Sequence, residues 1–176
     1  WLERNRERVE YRPKDTGQTY EADIPDDGSY LLWDKPLSEQ PEAVKKAIWE
    51  AIGKDVEAKP SPMERGKTDL IVNGQWNGYA PDGIEGMGGD FLYHLLGRLK
   101  GSDEAASKTL HSLGVAGIKY EDGSSRGKDG EKSHNYVVFD DNAVKILQTY
   151  YQRGDGSFKS EDARREAELR GEASEF

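Results

Sequence analysis

Cysteine is absent from the 176-residue chain. That absence removes disulfide staples, thiolate zinc sites and cysteine nucleophiles together, and it fits a reducing compartment, so a cytoplasmic location is expected. Long apolar runs are missing as well. No segment approaches the roughly 20 residues that span a bilayer, and no signal-peptide pattern is present; a protein with no membrane association is expected. Histidine is scarce: His94, His111 and His134 form no HxxxH pair, so no metal is expected. There is no GxSxG elbow for a serine hydrolase. The loop EDGSSRGKDGE, residues 121–131, lacks the alternating acids of a calcium loop. Glycines 83, 86, 88 and 89 do not have the spacing of a Rossmann or phosphate-cradling loop. Positive charge is also in short supply. With a net charge of −9, the long-range field repels phosphate backbones, which disfavours nucleic acid as a partner.

Apolar residues make up 34% of the chain and charged residues another 34%. This describes a small core within a large solvated surface. The length suits one α+β domain over residues 1–152, with a loop-rich insertion near 54–89 and a charged helical or disordered tail over 153–176. Residues 1–12 suit a short helix ending before Pro13. Tyr20, Ala22 and Ile24 alternate as one face of a half-buried strand, and the block Tyr30 to Trp33 packs on a sheet. A helix over 38–53, capped by Ser38 with Pro41 in its first turn, buries Val44, Ala47, Ile48, Ala51 and Ile52. From 54 to 89 prolines and glycines break the pattern, and only Leu70-Ile71-Val72 reads as strand. A helix burying Phe91, Leu92, Leu95, Leu96 and Leu99 ends at Gly101. Ser102 then caps another that buries Ala106, Leu110 and Leu113 and stops at Gly114.

The richest stretch is 113–147. Two apolar segments, Val115 to Tyr120 and Asn135 to Asp140, flank a polar, glycine-rich loop, and a last strand carries Val144 and Ile146. The unbroken run Val137-Val138-Phe139 suits a strand buried on both faces. A long polar loop held between core strands is a common place for a site. Ser124, Ser125 and Arg126 supply hydroxyls and a guanidinium fork that suit an anion, and His134 stands at the lip of the loop.

Three segments, TYEADIPDDGSYLLWDKPLSEQPEAV, GVAGIKYEDGSSRG and NYVVFDDNAVKI, resemble the ADP-ribosyltransferase-like domain that recurs in large polyvalent proteins of phages and prophages. The resemblance spans roughly residues 1–148 and is dense over 19–48 and 102–147. It implies a split, twisted antiparallel sheet with surrounding helices around a cleft that takes NAD. It also implies a protein or other macromolecular target, a place within a larger polypeptide, and residence in a host cytoplasm or a phage particle.

In such transferases a glutamate opening a late core strand hydrogen-bonds the nicotinamide ribose and steadies the oxocarbenium-like state. NYVVFD is the strand that fits, where related sequences often read EYVVFD, and this chain has Asn135 there. An amide still bonds a hydroxyl but carries no charge to offset a developing cation. Glu131 substitutes if the loop folds back. Asn135 and Glu131 are therefore the catalytic candidates, and Tyr120, Ser125, Arg126 and His134 the cofactor-binding candidates. The glycine-rich, aromatic part of the NAD pocket is expected upstream of TYEADI. Two readings stay open: an enzyme transferring ADP-ribose from NAD, and a degenerate, non-catalytic binding module of the same fold. A toxin nuclease acting on RNA fits less well, because the chain is acidic and lacks a His/Lys/Arg constellation.

Overall fold

The computed structural model describes residues 18–123, 133–152 and 158–160, together with 162 and 165. Among them the chain is mixed α+β, with three three-stranded sheets and three α-helices. Two compact units are distinguished: Ile24–Val144, and a second made of Trp1–Asp23 with Lys145–Phe176.

Among the described residues, every member of the buried apolar core belongs to the larger unit, from Tyr30 to Ile118. Helix α1 (Glu42–Ile52) buries Val44, Ala47, Ile48, Ala51 and Ile52, the face expected from their spacing at three and four. Its start differs from expectation. Ser38 lies in a separate 3-10 turn (Leu37–Glu39), and the helix begins only after Pro41, which stands at the N-cap position. The residue before a proline is pushed out of the helical region, and Gln40 accordingly sits at φ −70°, ψ 154°.

Helices α2 (Gly89–Lys100) and α3 (Asp103–Ser112) pack on the same core. Leu92, Leu95 and Leu96 are wholly buried, each contributing about 2 kcal/mol of transfer free energy. Phe91, expected inward, is 39% exposed, and Tyr93 takes the inward place at 9%. The Tyr93 hydroxyl compensates by donating to the Asp103 carbonyl at 3.0 Å and pairing with Ser107 Oγ at 2.7 Å. Gly101 (φ 97°) ends α2 in the left-handed region. Ser102 Oγ then accepts from Ala105 N–H at 3.1 Å and opens α3 as expected.

The block at Tyr30 is itself a strand. β2 (Tyr30–Leu32) runs parallel to β6 (Gly117–Glu121), and β7 (His134–Val138) runs antiparallel on β6's other side. β7 does not reach Asp140, and it is not buried on both faces: Val137 is 46% exposed. The reason is its position, since among the described residues β7 pairs with β6 alone.

The segment expected as a loop-rich insertion is an antiparallel meander of β3 (Val56–Pro60), β4 (Thr68–Val72) and β5 (Gln75–Tyr79). Val72 pairs with Gln75 across the two-residue loop Asn73-Gly74, whose φ values are 50° and 75°. Positive φ at both central residues defines the tight hairpin turn that Asn-Gly favours. Buried Val56, Leu70 and Ala80 tie the segment to the core.

In the second unit, β1 (Gln18–Asp23) pairs antiparallel with β8 (Lys145–Gln152), which pairs with β9 (Phe158–Ser160). All six residues of β1 are exposed, including Tyr20 and Ala22, which were expected to face inward. β9 lies in the stretch expected as a helical or disordered tail. The expected helix over 1–12 lies outside the described residues. No helix among the described residues is long and apolar enough to cross a membrane.

Candidate functional site

A parallel strand pair has both C-terminal ends at one edge of its sheet, and that edge is where α/β chemistry commonly gathers. Here the ends of β2 and β6 meet the first residue of β7. Between them lies a cleft of about 160 Å³ lined by Leu32, Asp34, Lys35, Lys119, Tyr120, Glu121 and His134.

Gln40 makes this edge rigid. It is only 3% exposed, and its side-chain amide accepts from Leu32 N–H at 2.8 Å and donates to the carbonyls of Leu32 at 2.6 Å and Lys35 at 2.9 Å. In a parallel pair alternate residues bond the neighbouring strand. Trp33 N–H donates to the Lys119 carbonyl at 2.9 Å, so the polar groups of Leu32 point to the open edge, and the Gln40 amide covers them as a strand would. Beyond Trp33 the ladder continues through a side chain: the Glu121 N–H donates to Asp34 Oδ2 at 2.8 Å.

The other flank carries a small polar network. Asp27 accepts from Lys119 Nζ at 2.8 Å through Oδ2 and from the Tyr136 hydroxyl at 2.8 Å through Oδ1. Lys119 also stands 5.3 Å from the centre of the Tyr136 ring. The Lys119 hydrogen bond, then the Tyr136 one, hold the Asp27 carboxyl below its ordinary range, and Asp27 in turn raises Lys119. Tyr30 packs edge-on against Tyr136 at 5.1 Å; its hydroxyl is buried without a partner among the described residues, and burial, foremost, raises its pKa. Gly117 permits this packing: a Cβ there would stand 1.9 Å from the Val137 carbonyl oxygen and 3.0 Å from the Tyr30 ring.

Of the residues expected from sequence, Tyr120 and His134 both line the cleft. Asn135 stands opposite Tyr120 in the β6/β7 register, one residue past His134, and is exposed without being a lining residue. Below them the hairpin closes through Asp122 N–H to the Ser133 carbonyl at 3.0 Å and Ser133 Oγ to Asp122 Oδ2 at 3.2 Å. Ser125, Arg126 and Glu131 lie outside the described residues. Asp34, Lys35, Lys119, Glu121 and Gln40 were missed. The signal for Asp34 and Gln40 was the polar pattern WDKPLSEQP directly after an apolar strand; nothing local marks Lys119 or Glu121.

Roomier cavities lie elsewhere among the described residues: about 570 Å³ beside His94 and Asp103, about 560 Å³ on the meander, and about 290 Å³ between Tyr79 and Phe91. The first is a shallow surface around His94, which stands edge-on to Trp33 and Tyr93 and 3.7 Å from Asp103 Oδ1. Among the described residues no group of three His, Asp or Glu side chains is placed to hold a metal ion. Comparison of the chain with models of known families, with curated proteins and with solved structures gives no match.

Proposed function

We propose that the chain is an ADP-ribosyltransferase-like domain of phage or prophage origin whose cleft at the ends of β2 and β6 takes the nicotinamide-ribose end of NAD. The observation that carries the reading is the meeting of Tyr120 and His134, two cofactor-binding candidates of the sequence, at one cleft that also holds two carboxylates. A cleft of about 160 Å³ suits the nicotinamide ring with the ribose at its mouth, not a whole dinucleotide. The donor set fits that fragment. Tyr120 offers an aromatic surface, His134 and Lys119 offer hydrogen-bond donors, and Asp34 and Glu121 supply negative charge beside a position where Asn135 has none. The chemistry NAD brings is departure of nicotinamide with growth of positive charge on the ribose, and a macromolecular nucleophile accepts the ADP-ribose.

The amide at Asn135 favours a second reading, a non-catalytic module of the same fold that retains ligand binding. Both readings require NAD to bind the native state, which raises its apparent stability. Millimolar NAD is expected to raise the melting temperature of the chain and to lose that effect in Tyr120→Ala and His134→Ala; no response would sink both readings. Nicotinamide release separates the two. A measurable rate that falls in Glu121→Gln or Asn135→Ala supports the enzyme, and binding without release supports the module.

A further inference from the structure

The meander carries a second cavity, lined by none of the residues of the cleft at the ends of β2 and β6. Its cavity of about 560 Å³ is lined by Asp69, Trp76, Tyr79, Glu64 and Lys59 among others. Asp69 sits on the central strand β4, opposite Lys59 on β3 and Tyr79 on β5. It is 5% exposed, and its only side-chain hydrogen bond among the described residues comes from Trp76 Nε1 to Oδ1 at 3.2 Å. The second carboxylate oxygen has no protein donor. Asp69 lines the cavity and that oxygen is not sealed from solvent, so a cation or donor entering the cavity can complete it.

Neighbouring charges cancel around it. Glu64 is ion-paired with Lys67 and accepts from the Tyr79 hydroxyl, and Lys59 stands 4.0 Å from Glu57. Among the described residues Asp69 is the one carboxylate lining the cavity without an ion pair within 4.0 Å. The walls are aromatic: Trp76 is 59% exposed and Tyr79 40%, packed edge to face at 5.6 Å. Lys67 already lies 4.3 Å over the Tyr79 ring, so one aromatic face holds a cation of the chain itself, while Trp76 remains widely exposed.

We infer that this cavity receives an arginine side chain from a partner polypeptide, its guanidinium donating to Asp69 and stacking on Trp76. A planar, weakly hydrated guanidinium matches both a carboxylate and an indole face, whereas a compact ammonium is more strongly hydrated and stacks less well. Burial of the carboxylate strengthens the contact over an exposed pair.

The test is titration of the full chain with N-acetyl-arginine amide, followed by the Trp76 indole N–H resonance, which Trp76→Phe identifies. The expected result is a saturable shift at millimolar ligand, absent with the neutral isostere N-acetyl-citrulline amide and weakened about tenfold or more in Asp69→Asn. Asparagine can still accept from Trp76, and the dispersion of the spectrum reports whether the variant folds. Equal binding of the citrulline compound to the unaltered chain overturns the proposal without any variant. So does the lack of a shift with the arginine compound, and tighter binding of free arginine would replace a polypeptide partner with an amino acid.

Discussion

Asp27 receives both Lys119 and the Tyr136 hydroxyl, and this pair of contacts makes the flank of the cleft sensitive to pH. The Asp27 pKa is lowered in the folded state, so its contribution is complete above the unfolded value and is lost as pH falls through the folded one. Lys119 is shifted upward, so its share is complete below its unfolded value and lost only as pH rises through the folded one, in the alkaline range. Between those limits the pair is intact. The difference in melting temperature between the unaltered chain and Asp27→Asn is therefore expected to be constant near neutrality and to shrink as pH falls below the ordinary aspartate value of 3.8. A difference independent of acid pH would remove the pair from the stability of the fold. Gln40 acts at the same scale without charge. Gln40→Ala strips partners from Leu32 N–H and two carbonyls, and a loss of about 3 kcal/mol is expected in urea unfolding. A loss near zero would mean that water replaces the amide.

At the scale of elements, the β2/β6/β7 sheet depends on close approach at Gly117. A Cβ there meets backbone, which cannot rotate away. Gly117→Ala is expected to destabilise the chain by about 3 kcal/mol or more by calorimetry and to abolish any NAD response with it. Tolerance of alanine would show that β7 moves outward freely. Helices were the most legible elements. The spacing of Val44, Ala47, Ile48, Ala51 and Ile52, and Ser102 with its capped turn, state their structure locally. The meander reads as a loop because of its prolines and glycines, although the turn signal Val72-Asn73-Gly74-Gln75 stands in the sequence. β2 was not legible as a strand, because three residues carry no period and its partner β6 begins about 85 residues later.

On the scale of the molecule, the buried apolar residues among those described all fall between Tyr30 and Ile118, inside Ile24–Val144. The chain enters that unit beside the point where it leaves, since Asp23 pairs with Lys145. A fragment of residues 24–144 is therefore expected to fold alone, with a cooperative melt close to that of the whole chain by circular dichroism. A non-cooperative melt would show that the β1/β8/β9 sheet is needed. The acidic surface, with net charge −9, acts at this scale as well and makes a cationic partner group the natural counterpart of the Asp69 cavity.

The sequence by itself determined the three helices, their inward faces apart from Phe91, the hairpin strands around Tyr120 and His134, and the absence of cysteine chemistry. Each of these follows from local periodicity, caps or composition, which need no knowledge of distant residues. Only the tertiary structure decided that β2 lies parallel to β6, that Asp34, Lys119 and Glu121 join Tyr120 and His134 at one cleft, that Gln40 seals a strand edge, and that Asp69 is buried beneath Trp76. Those facts depend on pairings between residues far apart in the chain, where the free energy of contact appears only after the loop between them has closed.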